Sequence, residues 1–269
     1  MKNAKPAPNV MQEVMPELKV AVVSKSGGIG KTTLSTHVLH AKMPRATFFS
    51  MEDINRGAES FGVDITKIDS DGFQKMLNNM FLEDACIIDV GASNIRYFLD
   101  GLKIYRGSCD EIDYFVVPLT SESRYQEEAI QTILALRSLG VPDSRIRPIF
   151  NMVKESRYDQ DEFRLFLNFL KSDTTITMHK DCVLFDNPGI ETMSRKGLTI
   201  TKVLEDPRDY KADARALRDE ARASGKEPKR SDVEHLTTMQ SLKMCAVPLM
   251  ENINRAWAAL ALTTKNSAA

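Results

Sequence analysis

The chain has 269 residues, of which 42% are hydrophobic and 27% charged, with a formal net charge of -1. This is an ordinary globular composition, long enough to bury a sizeable core in one large domain or in a domain with an appendage. The charge balance gives no whole-molecule support for nucleic-acid binding, and no apolar run approaches the roughly 18 to 20 residues that span a bilayer.

Residues 1–17, MKNAKPAPNVMQEVMPE, hold three prolines and no continuous apolar segment, so they read as a flexible leader rather than a secretory signal. Cys86, Cys109, Cys182 and Cys245 are scattered without metal or redox spacing. They read as small buried hydrophobes in a reducing, cytoplasmic setting.

KVAVVS (19–24) is a β-rich run that ends at a glycine loop, and TTLSTHVLHAKM follows at helical spacing. Strands are predicted over 46–51, 85–90, 112–118, 145–151 and, at an edge, 182–186. Helices are predicted over 71–82, 95–105, 125–140 and 162–170, the third stopped by Gly140. Strands that are apolar throughout and alternate with helices predict an α/β doubly wound, mainly parallel sheet covered on both faces. Ligands in such sheets bind beyond the carboxyl ends of the strands. The strands end near residue 204, so 18–204 reads as the α/β domain that contains the glycine loop and 205–269 as a helical C-terminal extension. Within the extension, 231–262 reads as one helix kinked at Pro248 or as two helices, started by a Ser231/Glu234 capping box. The extension is either packed on the body or an oligomerisation arm, and packing is the simpler reading.

SKSGGIGKTTL (24–34) carries the chemistry. Small residues let successive backbone N–H groups surround phosphate oxygens, a lysine reaches the β/γ-phosphates and a hydroxyl reaches Mg²⁺. Ser26, Gly27, Gly28, Ile29 and Gly30 form the loop, Lys31 supplies the charge, Thr32 the metal ligand, and Thr33 a further phosphate contact. The loop follows a strand and opens a helix, the context such a site needs. Asp89, ending the apolar run ACIIDV, is a Walker B-like candidate for Mg²⁺; the alternative is a turn former. FFSMEDIN ends the second predicted strand with Glu52 and Asp53, and Asp53 also reads as a helix cap. Asn151 ends the fifth strand, where an ordinary turn residue is one reading. His37 and His40 fall within the first helix as packing or surface residues.

The loop resembles the deviant Walker A loop of the ParA/MinD group of P-loop ATPases, in which KGGxGK[ST] replaces the standard pattern. There a signature lysine reaches across a nucleotide-bridged dimer. Ser26 occupies that position here and Lys25 lies one step earlier, so Lys25 is either a displaced trans-acting residue or a solvated strand-end lysine. The group's DxD at the second strand, whose acids orient water and metal, is matched by Ser50 and Glu52, so the resemblance makes Glu52 the better candidate to position an attacking water and Asp53 the second. Related P-loop proteins use an Asn at the place of Asn151 to hydrogen-bond the base, and the M-V-K that follows it lacks the guanine-reading pattern and favours adenine. Further phrases, IIDVGASNIRYFLDGL, DEIDYFVVPLTSESRYQEEAIQTILALRSLGVP and IRPIFNMV, resemble the StbB-type plasmid stability proteins, a divergent ParA-like branch, over about residues 19 to 210.

This resemblance implies an ATP- and Mg²⁺-dependent, slowly hydrolysing switch in plasmid stability, partition or conjugation. It implies a small DNA-binding partner and a nucleotide-dependent homodimer. Two other readings stand beside it. One is a nucleotide-binding scaffold with little hydrolysis, suggested by Ser26 and Ser50. The other is a metabolic P-loop kinase or ligase, for which no further carboxylate or histidine constellation supplies a substrate pocket. KEPKR (226–230), with Arg215, Arg218 and Arg222, forms a basic stretch, but Asp213, Asp219, Glu220 and Glu227 are interleaved. A solvated helix is the better reading, and any DNA contact would be indirect or non-specific and salt-sensitive.

Overall fold

A computed structural model describes residues 17–51, 62–68 and 72–263. Seven strands form one parallel sheet in the order β3-β2-β4-β1-β5-β6-β7. They are β1 (Lys19–Val22), β2 (Thr47–Met51), β3 (Thr66–Lys67), β4 (Cys86–Val90), β5 (Tyr114–Leu119), β6 (Ile146–Val153) and β7 (Val183–Phe185). The predicted α/β doubly wound sheet is therefore present. The structure adds β3, too short to carry a periodic signal.

Successive β1 residues feed opposite faces of the sheet, as strand geometry requires. Ala21 and Val23 enter one core with Phe73, Phe98, Phe115, Phe150 and Phe166. That face is covered by α3 (Phe73–Met80), α4 (Ile95–Ile104), α5 (Ser123–Ser138) and α6 (Arg164–Asp173). Leu18, Val20 and Val22 enter a second core. There they meet the first helical segment, α8 (Ile200–Glu205) and α10 (Arg230–Leu260). The short α7 (Gly189–Arg195) and α8 went unread in the sequence because six or seven residues hold barely two turns of pattern.

The first helical segment is not uniform. α1 (Lys31–Leu34) passes through a π-helical turn at Ser35–Leu39 into α2 (His40–Lys42). Within it the Ser35 hydroxyl donates to the Lys31 carbonyl at 3.0 Å and the Thr36 hydroxyl to that of Thr32 at 2.7 Å. Side-chain hydroxyls thus compete for the carbonyls that the regular ladder would use.

The C-terminal extension is α9 (Tyr210–Ser224) followed by α10. Leu236, Met239, Leu242, Ala246, Leu249, Ile253, Ala256 and Leu260 of α10 are buried in the second core. α10 is one continuous helix through Pro248. Pro248 lies on the exposed side, where Met244 is 69% exposed, so water can take the carbonyl that the proline leaves free. The predicted capping box is not formed. The helix starts at Arg230, Ser231 sits inside the first turn, and Glu234 accepts from Arg230 Nε at 2.8 Å.

α10 also closes the β7 edge. Asn252 Oδ1 accepts from the Phe185 N–H at 2.8 Å and Asn252 Nδ2 donates to the Val183 carbonyl at 2.9 Å. One buried side chain imitates the missing neighbouring strand.

All four cysteines are free, and burial pushes each thiol up, Cys86 to about 12 and Cys182 to about 11. This fits inert packing residues.

His37 is buried in the π-helical turn, where Nδ1 accepts from the Ile200 N–H at 3.3 Å. Burial lowers its pKa from 6.5 to about 4. The unfolded chain therefore binds this proton between pH 6.5 and 4 while the folded chain does not, so stability is full above that window and falls as pH drops through it. The expected loss by pH 4 is about 3 kcal/mol. Chemical denaturation from pH 7 to 4.5 checks it: the slope should flatten in His37→Asn, and an unchanged slope would assign the effect to other groups.

Candidate phosphate-binding site

β1 ends at Val22, and the chain crosses the carboxyl edge of the sheet before α1 begins at Lys31. Gly28 and Gly30 adopt left-handed backbone with φ of 72° and 76°. A Cβ on Gly30 would stand 2.6 Å from Asn151 Nδ2, so this position requires glycine on both counts. Lys31 is buried at the helix start and its Nζ folds back to donate to the Ser26 carbonyl. Thr32 and Thr33 follow in the first turn, half-buried.

β4 lies beside β1 with Asp89 in register with Val22, which brings a buried carboxylate to the loop's side of the sheet. Ser50 of β2 is in register with Asp89 on the other side and is also buried. Glu52 and Asp53 fall just past β2, outside the described residues.

Asn151 lies within β6, which runs two residues further than predicted. Its Nδ2 donates to the Ile29 carbonyl at 2.7 Å, so the side chain braces the loop. Met152 beside it is half-exposed and left-handed at φ 56°, costing roughly 1 kcal/mol. It marks the irregular β6–β7 register. A cavity of 490 Å³ opens between the loop, Asn151, Met152, the Asp186–Pro188 turn and Leu249 of α10.

Lys25 is exposed, and its Nζ donates to Gln131 Oε1 of α5 at 3.3 Å. Ser26 is buried with all its polar groups engaged. Its N–H donates to Ser24 Oγ at 3.1 Å, its hydroxyl donates to Glu128, and its carbonyl accepts from Lys31. Glu128 and Asn94 went unread in the sequence. Asn94 occupies the N-cap of α4 but does not cap it. Its Nδ2 instead donates at 3.0 Å to the carbonyl of Met51, the residue before Glu52, and the Gly91 N–H donates to the same carbonyl at 2.9 Å. The loop after Asp89 is thereby stapled to the end of β2.

The donor set suits Mg²⁺. Among the described residues no group of three or more His, Cys, Asp or Glu could hold a metal ion. The Thr32 hydroxyl and the Asp89 carboxylate are hard oxygen donors of the kind that suit this ion. Among the described residues, no helix is long and apolar enough to cross a membrane.

No family model and no curated protein matches this chain. Among solved structures it is similar to apo McdA from Cyanothece, with a TM-score of 0.50 and 12% identity, covering 86% of this chain and 99% of that one. It is also similar to the MinC:MinD cell division protein complex of Aquifex aeolicus (TM-score 0.49, 15% identity, 86% and 95% covered). A ParA family ATPase from Chlorobium tepidum follows (TM-score 0.47, 15% identity, 71% and 94% covered). At 12% identity the likeness to apo McdA shows the fold alone.

Proposed function

We propose that this protein is a ParA-like molecular switch that binds ATP with Mg²⁺ and hydrolyses it slowly. The observation that carries the reading is the loop itself: left-handed Gly28 and Gly30, then Lys31 at the helix start, beside the carboxylate of Asp89. Gly27 to Thr33 cradle the phosphates, with Ser26 framing the loop entry and Lys31 neutralising charge. Thr32 and Asp89 hold Mg²⁺, and Glu52, seconded by Asp53, orients water. With Asn151 Nδ2 engaged at the Ile29 carbonyl, its Oδ1 is left to meet the base, and an acceptor suits the exocyclic amine of adenine. The cavity beside it has room for the base.

The sequence resemblance extends this reading to plasmid stability, in partition or conjugation, in the cytoplasm, with a small DNA-binding stability protein as partner. ATP would bridge a homodimer, with Lys25 as the trans-acting lysine. Its present bond to Gln131 is exposed and therefore weak enough to exchange. A second reading is a nucleotide-binding scaffold with little hydrolysis, favoured by the buried Ser50 where the family carries an acid.

The test measures ATP and GTP binding with Mg²⁺, phosphate release and light-scattering mass, for wild type and Lys25→Ala. The switch reading expects ATP-driven doubling of mass with slow turnover, and loss of dimer without loss of binding in Lys25→Ala. Binding without dimer or turnover moves the protein to the scaffold reading. Wild type that binds neither nucleotide removes both.

A further inference from the structure

α5 reaches the phosphate loop with one face. Glu128, Gln131 and Thr132 stand at i, i+3 and i+4, so their side chains share a side of the helix. Each meets one of the two residues, Lys25 and Ser26, that depart from the family loop. Thr132 Oγ1 accepts from the Lys25 N–H at 3.3 Å, and Gln131 Oε1 accepts from Lys25 Nζ at 3.3 Å. The Glu128 carboxylate accepts the Ser26 hydroxyl. Its other oxygen accepts from Arg124 Nε at 3.0 Å, one turn back on the same helix. The carboxylate is 21% exposed, well shielded for a surface helix.

A carboxylate pressed against a phosphate loop is at first sight misplaced, because it repels the ligand. Arg124 offsets that charge, and the hydrogen bond it accepts gives the group a structural purpose. The Ser26 hydroxyl, and after it Arg124, holds the Glu128 carboxyl below its usual range. The group is thus ionised at neutral pH, the state in which it accepts most strongly.

We infer that Glu128 is a positioning residue for the phosphate loop, fixing Ser26 so that the Ser26 carbonyl sets where Lys31 Nζ meets phosphate. The inference rests on the nucleotide-binding reading above. Its physical content is a relay of Arg124, Glu128, the Ser26 hydroxyl, the Ser26 carbonyl and Lys31, in which α5 supplies the rigidity that the absent first glycine and signature lysine do not.

The test is a double-mutant cycle read by ATP affinity with Mg²⁺, with thermal melting as a check on folding. Glu128→Ala should weaken ATP about tenfold, the worth of one charge-assisted bond. In a Ser26→Ala background the same change should cost less than about twofold. Glu128→Gln keeps an acceptor for the hydroxyl and should recover binding to within about threefold of wild type. A general folding role predicts neither the coupling nor the rescue. The inference is overturned by equal losses in both backgrounds, or by Glu128→Gln behaving as Glu128→Ala while wild type binds normally. Wild type that fails to bind ATP overturns the nucleotide reading itself and the inference with it, a result distinct from either.

Discussion

Lys31→Ala is expected to lower ATP turnover by at least about a hundredfold, the usual consequence of removing a preorganised charge from a reacting phosphate. Lys31 is only 8% exposed and its side chain folds over the loop onto the Ser26 carbonyl, so its ammonium is fixed at the loop before any ligand arrives. Preorganisation of this kind has a stability cost, since a buried ammonium forgoes water. The alanine variant should therefore melt at or above the wild-type temperature in the absence of nucleotide. ATP, which raises the wild-type melting temperature by mass action, should raise that of the variant little or not at all. Phosphate release and thermal melts with and without ATP check both halves. A variant that hydrolyses ATP at the wild-type rate would take the chemistry away from this loop. One that melts well below wild type would make Lys31 a structural residue.

Asn252→Ala should destabilise the fold by about 2–4 kcal/mol, because it strands the Phe185 N–H and the Val183 carbonyl together in a buried place. For a chain of this size that is a fall in melting temperature of roughly 4–7 °C. The edge strand β7 leads directly into the Asp186–Pro188 wall of the cavity beside the phosphate loop. A loosened β7 should therefore weaken ATP as well as lower stability. Calorimetry of wild type and variant reads both. A shift under about 2 °C would mean that water replaces the amide, and that α10 holds the edge by apolar packing alone.

How much of this was legible beforehand follows from the range over which each feature is encoded. The glycine loop, the strand before it and the helix after it form a contiguous stretch, and so were readable as a unit. The alternation of apolar runs and helices was enough for a parallel, doubly wound sheet, because strands covered on both faces must be apolar on both sides. Boundaries shifted by one to three residues, as at α5 and β6, where local pattern fades into the loops. The capping box failed because Arg230 competes for Glu234 and starts the helix one residue sooner. The π-helical turn was hidden because its hydroxyls, Ser35 and Thr36, look like ordinary helix residues in sequence.

What the amino-acid order signalled by itself, then, is the alternation of strands and helices that implies a parallel sheet, and the place of the glycine loop, since each is written in runs of neighbouring residues. The partners of that loop were decided only by tertiary structure. Glu128 lies 102 positions from Ser26, Asn151 lies 122 from Ile29 and Asn252 lies 67 from Phe185. Nothing in a run of residues marks which distant carbonyl or hydroxyl a side chain will meet. That follows from strand order, which sets β1 between β4 and β5, and from the burial that leaves each polar group no water to turn to.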